Sequence, residues 1–70
     1  MSTIDAHITG TVWRVLVEVG QDVAIGDEVV ILESMKMEMP VEAESAGRVE
    51  EVLCAEGDAV NEGQPVVRLA

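Results

Sequence analysis

Lys36 is the single lysine of a 70-residue chain that carries 14 acidic residues, and it stands in Glu33-Ser34-Met35-Lys36-Met37. Amine-directed chemistry therefore has one side-chain target. A lysine ε-amine is a nucleophile only when neutral and, at an ordinary pKa of about 10.4, is almost wholly protonated at pH 7. Acylation at such a residue needs an enzyme that supplies an activated acyl group. The other reactive side chains lack the company that chemistry requires. Cys54 has no second cysteine for a disulfide. His7 has no second histidine or cysteine pair beside it, and a metal site needs more convergent ligands than that. It reads as a polar position on the first strand. The sequence thus offers no catalytic constellation and no metal site, but one addressable amine.

The segments on either side of Lys36 repeat each other. At an offset of 37, residues 10–33 align with 47–70 without a gap. Gly10, Val12, Val15, Leu16, Gly20, Val23, Gly26, Val29, Val30 and Leu32 recur as Gly47, Val49, Val52, Leu53, Gly57, Val60, Gly63, Val66, Val67 and Leu69. Two similar halves imply a pseudo-two-fold axis, and the short segment joining them should lie at the end opposite the termini. Lys36 is then presented away from both chain ends.

The repeat also sorts faces. Val30, Leu32, Val67 and Leu69 are expected inward, with Val12, Val15, Val49 and Val52. The three-residue step from Val12 to Val15 implies a bulge rather than strict alternation. Ile31 falls opposite Arg68 and Trp13 opposite Glu50, so these positions should face outward, with Trp13 partly exposed, as a cap on one edge of the core or as a partner contact. Cys54 falls opposite Val17, an apolar position, and is expected to be a buried structural thiol.

Gly and Pro punctuation cuts the chain into segments too short for helices, and the 13 valines favour strands. The predicted strands are 3–8, 11–17, 28–33, 38–43, 47–54 and 65–69, with very short ones at 22–24 and 59–61. In Gly20-x-x-Val23-x-x-Gly26-x-x-Val29 and its copy from Gly57 to Val66, a small or apolar residue falls at every third position. That spacing fits neither strand nor sustained helix, but it suits tight corners. The whole of 1–70 reads as one all-β domain, too small for a deep catalytic cleft. A net charge of −10 opposes nucleic-acid and anionic membrane partners. No apolar run reaches the roughly 20 residues of a membrane span. The first residues lack the basic and apolar regions of a signal peptide, so a cytoplasmic location is expected.

With its Met-Lys-Met triplet placed between two such repeats, and Glu42-Ala43 and Gly47 downstream, the chain resembles biotinyl domains of the biotin/lipoyl attachment family. The resemblance runs from about Thr3 to Ala70. It implies a flattened β-barrel, or sandwich, of two four-stranded sheets with pseudo-two-fold symmetry and the attachment lysine on a hairpin turn. It further implies biotin joined to Lys36 through an amide by biotin–protein ligase, giving a tether of roughly ten bonds with a reach on the order of 14 Å. The biotin ring is carboxylated at a biotin carboxylase site with ATP and bicarbonate, and the carboxyl group is passed on at a carboxyltransferase site. On this reading the chain is a non-catalytic carrier, monomeric on its own. It works by keeping the cofactor local to both sites. Met35 and Met37 are assigned to recognition by the ligase or to docking at the active sites, and Glu33 to ligase contact. Glu38 reads as a solvated strand-end charge, and Met39 as a filler of a core gap.

Two other readings share parts of this pattern. Lipoyl domains have the same fold and hairpin lysine but typically an acidic residue just before the lysine, where this chain has Met35. Unmodified lipoyl-like adaptor domains lack the Met-Lys-Met triplet. Carriers of multisubunit bacterial acetyl-CoA carboxylases bear a protruding thumb between their second and third strands. Here Glu18-Val19-Gly20-Gln21 leaves no room for one, so the chain resembles the thumbless type.

Overall fold

In each half of the chain, branched aliphatics alternate with polar residues over four to seven positions between glycine corners, and each such run forms a strand. The computed structural model describes residues 2–70. Its elements are β1 (Ser2–Asp5), β2 (Gly10–Val15), β3 (Asp22–Val23), β4 (Glu28–Ser34), β5 (Met37–Glu42), β6 (Gly47–Val52), β7 (Ala59–Val60) and β8 (Pro65–Leu69). They form two antiparallel four-stranded sheets, ordered β1-β8-β6-β3 and β5-β4-β2-β7. A shift of 37 residues maps one order onto the other, strand for strand. The pseudo-two-fold axis expected from the repeat is therefore present.

It also reaches further than residues 10–33. β1 is the counterpart of β5, with Ile4 matching Val41 and Ala6 matching Ala43, all four buried. The Gly63 N–H donates to the Ala6 carbonyl at 2.8 Å, and the Gly26 N–H donates to that of Ala43 at 2.9 Å. The same operation carries Glu33 onto Ala70 and Met39 onto Ser2. The root of the hairpin and the chain ends thus change places across the axis.

The core is aliphatic throughout. Val29, Val30, Leu32, Val66, Val67 and Leu69 are fully enclosed, two copies of one motif facing each other across the axis. Val15 and Val52, expected inward, are half-buried and pack at the core margin, because each follows a bulge that turns it partly outward. Those bulges lie between Val12 and Arg14 and between Val49 and Glu51.

Three strands stop two or more residues short of expectation. β1 stops at Asp5, so His7 lies in the bend after it, exposed, rather than on the strand. β2 and β6 stop at Val15 and Val52, where the chain leaves the sheet for a corner. Four corners share one construction, seen in Glu18-Val19-Gly20-Gln21 and its counterpart Ala55-Glu56-Gly57-Asp58. The fourth N–H donates to the first carbonyl, at 3.1 and 3.0 Å. The first N–H donates back to the fourth side chain, at 3.2 Å to Gln21 Oε1 and 2.9 Å to Asp58 Oδ2. The third position lies at φ 92° and 94°, where a Cβ would be strained, and glycine fills it.

Candidate attachment site

β4 and β5 pair in the order Val30–Val41, Ile31–Pro40, Leu32–Met39, Glu33–Glu38 and Ser34–Met37. Two residues, Met35 and Lys36, are left to reverse the chain. Both adopt left-handed backbone angles, φ 52° and 66°, the geometry of a type I′ turn whose twist matches that of the strands. Glycine and asparagine usually fill such turns. Holding side chains with a Cβ there costs roughly 1–2 kcal/mol per residue. The register on both strands enforces the conformation, since any longer loop would break the Ser34–Met37 pair.

The base of the hairpin is rigid. Val30 and Leu32 are fully buried and Val41 is 2% exposed, while Met39 is half-buried opposite Leu32. Met39, expected to fill a core gap, is thus only half-buried and lies outside the group of side chains packed against the core. A Cβ added to Gly10 would stand 2.6 Å from the Glu33 carbonyl oxygen, so β2 runs in close contact with the root of the turn.

The tip, by contrast, is open. Met35 is 92% exposed and Met37 58%, and Lys36 is exposed between them. The ion pairs among the described residues join Arg48 to Asp22 and Arg68 to Glu50 and Glu51, so none engages Lys36. Glu33 and Glu38 are directly opposed across the strands, an unfavourable like-charge pair that sequence spacing alone did not reveal. The structure thus brings Glu33, Met35, Lys36 and Met37 together on one hairpin end.

Such an arrangement can present an amine, and any group joined to it, to the interior of another protein. Cys54 is half-buried rather than buried, at the core margin, because it lies beyond the end of β6. Desolvation pushes its thiol pKa up, and the Asp58 carboxylate adds to the effect. The reactive thiolate is correspondingly scarce at neutral pH. His7 lines an open groove of about 470 Å³ with Asp5, Ile25, Pro40 and Glu44, apart from the lysine turn. That groove was not anticipated. The signal for it was Ile25, an apolar residue in a corner whose counterpart is Glu62.

Comparison with known proteins agrees with this geometry. The family model described as "Biotin-requiring enzyme" matches residues 2–69. The Biotin/lipoyl attachment protein of Bacillus subtilis (strain 168) is 46% identical over 68 residues, which cover 97% of this chain and 93% of the relative. The Biotin carboxyl carrier protein of Streptococcus mutans is 38% identical over 69 residues, covering 99% of this chain and 53% of that one. Among solved structures, the urea carboxylase of Kluyveromyces lactis matches with a TM-score of 0.91 at 36% identity, over 99% of this chain and 6% of that one. The chain therefore spans nearly all of one relative, about half of another, and a small part of the large enzyme.

Proposed function

The chain belongs to the biotin/lipoyl attachment family, and from that premise we propose that it is a biotin carboxyl carrier with Lys36 as the attachment residue. One observation carries this reading: the sole lysine sits on a two-residue left-handed turn, exposed, at the tip of a hairpin whose base is locked in the core. The site fits biotin because amide formation needs only a reachable amine and no enclosing cradle. Once attached, biotin supplies a ring nitrogen that can accept and give up a carboxyl group.

The chain's own residues bind, hold and present. Amide formation removes the Lys36 charge, so the arm can enter an active site without the cost of burying an ammonium. Leu32, Val30 and Val41 fix the direction in which the turn points. The exposed thioethers of Met35 and Met37 offer flexible apolar contact, and Glu33 offers a carboxylate to biotin–protein ligase. Biotin carboxylase and carboxyltransferase are the partners between which the arm moves, in the cytoplasm. A lipoyl arm is the second reading, favoured by the 46% identical relative, which is a Biotin/lipoyl attachment protein.

Co-expression with biotin–protein ligase tests the assignment by intact mass. The chain should gain one biotin, and Lys36→Arg should gain none. Biotin on the Lys36→Arg protein overturns the site, and a lipoyl mass on the parent protein replaces the cofactor.

A further inference from the structure

The two halves of the molecule match in the core but differ systematically on the surface. Trp13, Ile25 and Ile31 of the first half have Glu50, Glu62 and Arg68 as their counterparts. Pro40, paired with Ile31, has Thr3. In each half a bulge places two residues against the middle strand. In the second half Glu50 and Glu51 both hold Arg68, at 3.1 and 2.6 Å. In the first, the Arg14 guanidinium lies 4.9 Å from the centre of the Trp13 ring, and the middle-strand residue is Ile31.

These positions are neighbours by register and groove. Arg14, Ile31 and Pro40 follow one another across β2, β4 and β5. Pro40 and Ile25 then line the same groove of about 470 Å³. Trp13 is 44% exposed and Ile25 72%. Val19, opposite Glu56, follows the same trend, but its corner is hydrogen-bonded to β6 in the other sheet.

The rim of this band is acidic. On one side of the Ile31–Pro40 pair stand Glu33 and Glu38, on the other Glu28 and Glu42, each pair directly opposed. Asp5 and Glu44 border the groove. Opposed like charges are destabilising, and among the described residues no basic side chain forms an ion pair with any of these six. We propose that the band Trp13–Ile31–Pro40–Ile25 is the docking face for the biotin carboxylase, which meets it with an apolar centre and a basic rim.

This inference rests on the carrier reading above. An enzyme that collects ATP and bicarbonate needs positive potential at its entrance, and this rim is its complement. A second copy of this chain carries the same −10 charge and is repelled. The ligase must draw Lys36 itself into its active site, so its footprint centres on the turn. Ile31 lies three residues below Ser34, the last strand position before the turn, about 10 Å at ~3.3 Å per residue. That distance is comparable to the reach of the biotin arm, as suits an enzyme contacted by the body while the arm enters it.

The chain supplies its own test substitutions, since the second half already tolerates the replacements. Trp13→Glu with Ile31→Arg recreates the Glu50–Arg68 pair of the other face, with Arg14 standing where that face has Glu51, and Ile25→Glu alone alters one exposed corner residue. Both variants should melt close to the parent and accept biotin from the ligase at an unchanged rate. With the cognate biotin carboxylase, KM for the biotinylated double variant should rise about tenfold or more with kcat little changed, the mark of lost uniform binding. Ile25→Glu should show a smaller rise. By calorimetry the unmodified parent should bind the carboxylase and the unmodified double variant should not.

Glu50→Ala and Arg68→Ala, on the opposite face, should leave KM unchanged. Equal KM for parent and double variant overturns the docking face while leaving the carrier reading intact. Failure of the parent to be biotinylated overturns the carrier reading instead. Dimerisation of the free parent through this face in sedimentation, or a Trp13 fluorescence change on biotinylation of the free chain, assigns the band to another occupant and overturns the proposal.

Discussion

Gly10 abuts Glu33 so closely that a Cβ on the glycine would lie 2.6 Å from the Glu33 carbonyl oxygen and 3.4 Å from Ser34 Cβ. Its counterpart Gly47 leaves more room, with a Cβ meeting Leu69 Cβ at 3.4 Å. The axis that relates the halves is therefore not followed at this contact. On the hairpin side β2 presses against backbone, which cannot yield as a side chain can, and it thereby fixes the root of the lysine turn.

Gly10→Ala should consequently destabilise the domain by about 1–3 kcal/mol, the range for overpacking, and Gly47→Ala by less. Urea unfolding measures both. Amide chemical shifts from Glu33 to Met37 should move in the first variant and stay in place in the second. Equal costs for the two substitutions would mean that the hairpin root has slack.

Met35 provides a separate test, because its backbone lies at φ 52° and its side chain is 92% exposed. Aspartate visits left-handed angles more readily than methionine. Met35→Asp should therefore leave the melting temperature unchanged or slightly raised, while the rate of biotinylation falls at least about tenfold, more than 1.4 kcal/mol of transition-state stabilisation. An unchanged rate would move ligase recognition away from this thioether.

The register shifts at Ile4–Asp5 and Glu28–Val30 were not legible in the sequence. All eight strands, the bulge after Val12 with its repeat after Val49, and the two-fold axis were, because core positions tolerate little change. Val30, Leu32, Val67 and Leu69 recur for that reason, and so do the corner glycines. β1 and β5 hid their kinship: they share a buried pattern, Ile4 with Val41 and Ala6 with Ala43, but their exposed residues diverged. The position of Lys36 was equally legible, from its uniqueness and its Met neighbours. Three features depend on register and strand ends, which periodicity cannot fix. These are the Glu33–Glu38 opposition, the left-handed turn, and the shift of His7 and Cys54 out of their expected settings. Cys54 matched Val17 in pattern, yet Val17 is buried at 5% while Cys54 remains half-exposed.

Cys54 has a pH dependence with a definite sign. Burial raises its thiol pKa and the Asp58 carboxylate raises it further. The folded state thus favours the neutral thiol. Stability from this group is complete below the ordinary thiol value, about 8.5, and is lost as pH rises through the raised folded value. Alkylation by iodoacetamide at pH 8 should run several-fold slower in the folded chain than in urea, with its rate midpoint displaced to higher pH. Asp58→Asn should move that midpoint part of the way back. Identical folded and unfolded rate profiles would show that the thiol is not desolvated.

The arm itself should be mobile in the free carrier. Between β2 and β3 the chain has only Leu16–Gln21, which turns through a hydrogen-bonded corner and offers no protrusion to hold a cofactor. Trp13, Ile31 and its partner Pro40 are apolar groups on the hairpin-bearing sheet that an arm folding back could touch. Such a contact would remove little area, worth on the order of 1 kcal/mol at about 25 cal/mol per Å². Ordering a long flexible side chain costs up to about 2 kcal/mol, enough to cancel that gain. Unmodified and biotinylated chains should therefore melt at the same temperature, and their NMR spectra should differ only near residues 33–39. Trp13, the sole aromatic residue, reports on the alternative directly. Shifts at its indole, or a clear rise in melting temperature on biotinylation, would show that the arm docks on its own domain.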